Sequence, residues 1–193
     1  MTAFSTRCCR NLNCLAALVV LGLGAGSAPP ARADGIEVRK AALIAAEDGY
    51  VLEAEFEITL THTLEDALNK GVPLHFALEF ELTRPRWYWF NEKLANARQQ
   101  YRLSYNALTR QYRVAVRTLY RNFASLREAL EFMSRVRVRE IAESDALGKG
   151  NSYRAALRLR LDSSQLPRPF QVSAVGSREW TISSDWHRWT VSP

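Results

Sequence analysis

The sequence contains few cysteines, and all of them lie near its beginning. Cys8, Cys9 and Cys14 are the three cysteines of the 193 residues, so residues 34–193 contain no thiol and can form no disulfide. This absence excludes thiol catalysis and cysteine-based metal sites from that part of the chain. A domain formed by residues 34–193 must therefore be stabilised by its hydrophobic core.

Histidine is also scarce, and common catalytic motifs are missing from residues 34–193. His62, His75 and His187 are the three histidines, and no G-x-S-x-G elbow, H-E-x-x-H helix or calcium-loop spacing accompanies them. Hydrolysis with a histidine base and metal chemistry are thus disfavoured. We predict a protein that is not an enzyme and that uses no cofactor or metal.

Residues 1–33 have the three-part pattern of a cleaved secretory signal peptide. Arg7 and Arg10 make the start basic, an uncharged apolar run follows over residues 15–26, and an A-x-A spacing ends at Ala33. We predict cleavage after Ala33 and export, with the periplasm as the expected destination. The apolar run is shorter than the roughly 20 residues of a spanning helix, so we expect no stable membrane span after cleavage. An uncleaved anchor is the alternative.

The charges of the remaining chain are unevenly distributed. Acidic residues predominate from 34 to 81, whereas basic residues, mostly arginines, predominate from 82 to 193. These arginines alternate with apolar residues along predicted strands, and the chain is expected to leave the cytoplasm. For both reasons we do not expect a nucleic-acid partner, although the basic segment would attract phosphate.

Apolar residues recur at every second position in most of residues 34–193, which indicates half-buried strands. Five segments show the pattern clearly: YVLEAEFEITL, PLHFALEFELT, QYRLSYN, QYRVAVRTL and YRAALRLRL. Asp48-Gly49 predicts a hairpin turn, and residues 106–110 predict another. We expect about seven mostly antiparallel strands.

Two short helices are predicted among these strands. Thr63 is the expected N-cap of the first, and Ser125 with Glu128 forms the capping box of the second. Residues 162–171 are expected to form a loop. Together these elements predict one α+β, mainly β domain over residues 34–193, folded as an antiparallel sandwich or bent sheet with two short helices. An immunoglobulin-like shape is the closest common form.

The chain contains, in this order, the blocks ADGIEVRKAAL, NKGVPLHFALEFELTRPRWYWFNEK, YRLSYNALTRQYR, LDSSQLPRPFQV and SSDWHRW. Together they resemble the DUF4390 family, a domain of unknown function found in exported proteins of proteobacteria. The resemblance implies an envelope protein with a signal peptide and no assigned activity. Family members are often encoded beside a two-component sensor kinase, which implies a link to envelope sensing. The family has no defined functional residues to carry over.

The segment TRPRWYWFNEK, residues 83–93, is the candidate binding site. Its proline lacks an amide hydrogen and should end or interrupt a strand. Arg84, Arg86, Trp87 and Trp89 could then form an aromatic and basic patch that holds a sugar, a lipid head group or a peptide. Burial of the aromatic residues in the core is the alternative. Near the C-terminus we expect Trp180 on a strand. Trp186 and Trp189 are expected to close the core, and the alternative is that they meet the Trp87 region.

These patterns favour an exported envelope protein that acts as a non-catalytic binding or interaction module, with another envelope protein as its partner. One alternative is a carrier for a lipid or other hydrophobic ligand, which requires an apolar cavity between the sheet and the second helix. Another is a carbohydrate-active enzyme that uses Glu53, Glu55 and Glu57, two of which would have to converge in a cleft. The oligomeric state cannot be predicted.

Overall fold

A computed structural model describes residues 35–47, 49–86, 92–142, 147–148, 150–174 and 177–192. All of them belong to one compact unit, Ala33–Pro193. The predicted signal peptide lies outside the described residues. None of the described helices is long and apolar enough to cross a membrane.

The described chain forms strands connected by short helices. The strands are β1 (Gly35–Ala46), β2 (Gly49–Thr59), β3 (Leu74–Arg84), β4 (Glu92–Asn106), β5 (Gln111–Val116), β6 (Leu119–Phe123), β7 (Arg135–Ala142), β8 (Tyr153–Leu161) and β9 (His187–Val191). The α-helices are α1 (His62–Asn69), α2 (Leu126–Ser134) and α3 (Arg168–Ala174), and 3-10 turns occupy Ser163–Gln165 and Arg178–Trp180.

The strands of the described residues form two antiparallel sheets. The smaller has three strands in the order β1-β2-β7, and the larger has six in the order β6-β5-β4-β3-β8-β9. Their buried side chains belong to one hydrophobic core, as expected for two sheets packed face to face. The predicted fold class, a mainly β antiparallel sandwich, is confirmed.

Strand β3 shows how the sequence pattern determines the two faces of the larger sheet. Its alternate residues Leu74, Phe76, Leu78, Phe80 and Leu82 are almost completely buried. Side chains on a strand alternate between faces, so the residues between these five point away from the core. The outward-pointing side chains of β3 and of the strands beside it form the outer face of the six-stranded sheet.

The prediction of about seven strands was too low, because segment 111–119 is not one strand and because β9 was not predicted. It turns at Arg117 and Thr118, and β5 and β6 pair as a hairpin in which Val116 faces Leu119. Arg117 occupies the left-handed region with φ of 54°. Neither turn residue is a glycine, asparagine or aspartate, so the usual sequence signal for such a hairpin is absent.

Two further expectations were wrong in the C-terminal part. The predicted loop 162–171 contains a 3-10 turn and the start of α3. Trp180 lies in the 3-10 turn Arg178–Trp180 and not on a strand. It is buried against Phe170 of α3, with ring centroids 5.3 Å apart, so the packing of an aromatic pair replaces the predicted strand alternation.

The capping predictions were half correct. Ser125 caps α2 as expected and accepts a hydrogen bond from the Glu128 backbone N–H at 3.3 Å. The N-cap of α1 is Thr61, and not Thr63, because the Thr61 hydroxyl accepts from the Leu64 N–H. Thr63 lies in the first turn and donates instead to the Glu179 carboxylate at 2.8 Å.

Candidate functional site

Two residues of the predicted aromatic and basic patch can be placed, Arg84 and Arg86. Both guanidinium groups approach the carboxylate of Glu92, at 3.6 Å from Arg84 and 2.5 Å from Arg86. Because Arg84 and Glu92 are register partners at the ends of β3 and β4, these ion pairs hold that end of the strand pair together. Trp87 and Trp89 lie outside the described residues.

Arg84 is also engaged by the buried Tyr153. Its Nη2 donates to the tyrosine hydroxyl at 3.3 Å, and its guanidinium lies 5.5 Å from the centre of the ring. This hydrogen bond raises the pKa of Arg84 and lowers the pKa of Tyr153. The Nε of Arg84 is buried and has no hydrogen-bond partner among the residues that the structure describes. The Arg84 side chain thus has a structural role, which leaves fewer of its hydrogen-bond donors available to a ligand.

The glutamates of β2 lie on the outer face of the three-stranded sheet. Glu53 lies 3.3 Å from Arg137 of β7, and Glu57 accepts a hydrogen bond from Arg39 of β1. Glu55 is exposed, with a register partner of opposite charge, Lys40. These ion pairs place Glu53 and Glu57 beside arginines of the adjacent strands, and Arg39 lies between Glu57 and its register partner Glu37.

The described histidines and acids form no group of three that could hold a metal ion. His62 is largely exposed, 3.8 Å from Asp66. His187 packs beside Trp189 with ring centroids 5.5 Å apart, and Trp189 in turn contacts the core residue Phe80. The expected role of Trp189 in closing the core is confirmed. The same expectation for Trp186 was wrong, because its ring packs against the Arg158 guanidinium and is not among the residues of the core cluster.

The hydrophobic-carrier alternative requires space between α2 and the sheets. Ala129 and Met133 of α2 are almost completely buried and belong to the same core as the strands. Phe132 of the same helix packs against Phe123 of β6, with ring centroids 5.3 Å apart. These positions are filled by side chains, which argues against a ligand cavity there.

One basic surface of the described chain was not predicted as a site. It is the outer face of the six-stranded sheet, where arginines from neighbouring strands come together, and we call it the basic face. In each antiparallel pair, directly opposed residues project on the same side of the sheet, so the registers place these arginines together. They are Arg98 and Arg102 of β4, Arg113 of β5, Arg154, Arg158 and Arg160 of β8, and Arg188 of β9, with Arg117 in the β5–β6 turn beside them.

One part of the basic face is neutralised by Glu79 of β3. Arg158 donates to one of its carboxylate oxygens at 2.5 Å, and Arg160 donates to the other at 3.0 Å. Desolvation alone would raise the pKa of Glu79, but the hydrogen bonds from the two arginines outweigh it and the pKa is lowered. The guanidinium of Arg158 also stacks on the ring of Trp186 at 4.6 Å.

A second carboxylate, Asp162, holds the neighbouring arginine of β4. Its Oδ2 lies 3.4 Å from the Arg98 guanidinium, and its other oxygen accepts from the Ser164 hydroxyl at 2.6 Å. Asp162 is buried, so this contact fixes one side of the Arg98 side chain. In the β8 half of the basic face, Arg158 and Arg160 are therefore paired with acids, whereas Arg154 and Arg188 make no ion pair with a described carboxylate.

The β4–β5 part of the basic face is open. A shallow depression of about 480 Å³ lies there, and its lining includes His75, Arg98, Gln100, Arg102 and Arg117. Among the described residues, no carboxylate makes an ion pair or hydrogen bond with Arg102 or Arg117, and both side chains are exposed. The depression thus presents unneutralised guanidinium groups to solvent.

His75 adds no positive charge to this depression at neutral pH. Burial lowers its pKa, the neighbouring Arg102 guanidinium lowers it further, and Asp162 acts in the opposite direction. A histidine with a pKa below its ordinary value of about 6.5 is neutral at pH 7. The positive charge therefore comes from the arginines and does not depend on pH in the neutral range.

Comparison with known proteins identifies the family. A family model described as "Domain of unknown function (DUF4390)" matches residues 33–190. The chain belongs to the DUF4390 family. No curated protein and no solved structure matches it. The matched region of this DUF4390 protein includes all the strands that carry the basic face, β3, β4, β5, β6, β8 and β9, except the last residue of β9.

Replacing Glu79 by glutamine in this DUF4390 protein should lower the free energy of unfolding by about 1–3 kcal/mol at pH 7, because the charged hydrogen bonds to Arg158 and Arg160 lose their acceptor charge. The pKa of Glu79 is lowered in the folded state. Its contribution is therefore present above the unfolded pKa of about 4.3 and is lost as the pH falls through the lower folded pKa.

Chemical denaturation of the wild type and the Glu79→Gln variant between pH 7 and pH 3 checks this expectation. The difference between the two proteins should shrink at the acidic end. Glu81→Gln is the matched control, since its carboxylate is more exposed and lies 3.4 Å from a lysine, Lys93. It should change the free energy by no more than about 0.5 kcal/mol. Equal effects of the two substitutions would refute the role given to Glu79.

Proposed function

We propose that this DUF4390 protein is an exported, non-catalytic binding module of the bacterial envelope, and that its partner is another envelope protein with an acidic surface. The observation that carries the proposal is the pair of exposed arginines, Arg102 and Arg117, with no carboxylate partner in the described part of the chain. The leader-like pattern of residues 1–33 supports export.

The contrast between the two halves of the basic face supports the choice of surface. Arg158 and Arg160 of β8 are paired with Glu79 and stabilise the sheet. In the described part of the chain, Arg102 and Arg117 at the depression have no carboxylate partner, and guanidinium groups are well suited to bind carboxylates with two parallel hydrogen bonds. Charge complementarity of this kind increases association rates and selects acidic partners over basic ones.

The placement of the β2 glutamates supports a binding role over a catalytic one. A glycosidase needs two carboxylates that flank one bond. Here Glu53 and Glu57 are each engaged by an arginine of an adjacent strand. This arrangement suits a solvated sheet surface.

A photo-crosslinking amino acid placed at position 100 tests the proposal in cells that export the protein. Gln100 is exposed and lines the depression, so this position should crosslink an acidic envelope protein. The control is the same amino acid at Glu131, an exposed position of α2. Crosslinking to the same protein from both positions, or to none from position 100, would overturn the proposal, as would recovery of the protein from the cytosol with residues 1–33 attached.

A further inference from the structure

The outer edge of the six-stranded sheet is a short strand with large exposed side chains. Strand β6 is the terminal strand, and Leu119 and Tyr120 are 77% and 66% exposed. Among the described residues, no second strand pairs with β6 on the side away from β5. Proteins usually protect such edges, because unpaired backbone groups there can accept a strand from another chain.

The register of the β5–β6 hairpin determines which backbone groups point outward. Val116 and Leu119 flank the two-residue turn and are directly opposed, so they form a hydrogen-bonded pair, and the pairs alternate from there. Tyr120 and Asn122 therefore belong to the non-hydrogen-bonded pairs. Their N–H and C=O groups point away from β5 and toward the open edge.

The side chains around this edge are basic and aromatic. Arg113 stacks on Tyr120 at 4.7 Å and donates to the Asn122 side chain at 3.0 Å. Arg121 lies 5.5 Å from the ring of Phe132 on the other face of the sheet. In the described part of the chain, none of Arg113, Arg117 and Arg121 has an ion pair with a carboxylate.

We propose that β6 accepts an extended acidic segment of the partner as an additional antiparallel or parallel strand, with backbone hydrogen bonds to Tyr120 and Asn122. This inference rests on the proposed function and specifies how the partner binds. The complement of the edge is a strand with carboxylates near Arg113, Arg117 and Arg121 and apolar side chains near Leu119. When a partner strand extends a sheet in this way, backbone hydrogen bonds provide the affinity and side-chain contacts provide the selectivity.

A second copy of this chain fits the edge less well. Pairing of β6 with β6 would bring the arginines of two copies together, and opposed like charges destabilise a strand pair. The carboxylates of an acidic segment would instead make attractive contacts with the same arginines. Charge complementarity therefore selects a foreign acidic strand over self-association.

The test uses the protein expressed from its full sequence and a short labelled peptide of glutamate, valine and tyrosine. Fluorescence anisotropy should show binding of this peptide and no binding of the same peptide with lysine in place of glutamate. The decisive comparison is Asn122→Pro against Asn122→Ala. Both remove the side-chain amide, but the proline variant alone removes an outward N–H, and proline is tolerated at such edge positions.

We expect Asn122→Pro to weaken peptide binding about tenfold and Asn122→Ala to leave it within about twofold. In the wild type, the peptide should slow hydrogen exchange of the Tyr120 and Asn122 amides, a result that does not depend on the folding of the proline variant. No binding of the acidic peptide, or no protection at these two amides, would overturn the inference.

Two further outcomes separate this inference from the proposed function. Equal binding by the proline and alanine variants, with loss on Arg113→Glu, would leave the basic face as the binding surface and reject strand addition. Sedimentation that shows a dimer of the wild type, lost in Asn122→Pro, would assign the edge to a second copy. The crosslinking from position 100 tests the proposed function independently of either result.

Discussion

Phe76→Ala is expected to lower the free energy of unfolding by about 3–5 kcal/mol. Phe76 of β3 is completely buried, between its register partners Tyr101 of β4 and Leu161 of β8. Its removal leaves a cavity in the core that the two sheets share. Because residues 34–193 contain no cysteine, no disulfide can compensate for the lost packing.

Leu108→Ala is the control for this substitution. Leu108 lies in the turn between β4 and β5 and is 96% exposed, so its replacement should change the free energy by no more than about 0.5 kcal/mol. Chemical denaturation followed by circular dichroism measures both variants. Similar losses of unfolding free energy in Phe76→Ala and Leu108→Ala, or a mainly helical spectrum, would contradict the sandwich fold.

The second large effect is expected from charge reversal at the depression. Arg102→Glu combined with Arg117→Glu should weaken binding of the crosslinked envelope partner about 100-fold, equivalent to about 2.7 kcal/mol. The change removes two attractive contacts and adds two repulsive ones. Both side chains are exposed, so the fold should be retained.

Arg127→Glu combined with Arg139→Glu gives the matched control. Both positions are exposed arginines outside the basic face, on α2 and β7, and the net charge changes by the same amount. Titration calorimetry should show nearly wild-type affinity for this control, and the wild-type affinity should decrease with added salt. Equal losses in the two double variants would show that net charge, and not the depression, governs binding.

The strands could be predicted from the sequence because a period of two is a local property. In β3 and β8, leucines and phenylalanines alternate with charged residues, and the structure buries the apolar set. The β5–β6 hairpin was missed because its turn, Arg117-Thr118, carries no turn-forming residue. Its conformation is determined by strand pairing, which no local pattern reveals.

The basic face could not be predicted, because it is produced by register between strands far apart in the sequence. Arg102 and Arg117 meet at the depression through the β4–β5 pairing, while Arg158 is neutralised by Glu79 through the β3–β8 pairing. From the sequence alone, the arginines that pair with acids cannot be distinguished from those that do not. The ion pairs of Arg84 and Arg86 with Glu92 could not be predicted for the same reason, because they join residues across the β3–β4 pair. The predicted patch itself stays a prediction, since Trp87 and Trp89 lie outside the described residues.

Hydrogen exchange of the protein with and without its crosslinked partner tests the binding surface most directly. If the basic face is the site, the partner should slow exchange in residues 98–102 and 113–122, and leave the β1–β2 hairpin of the smaller sheet unchanged. Protection confined to the smaller sheet, or to the end of β3 at Arg84, would contradict the account.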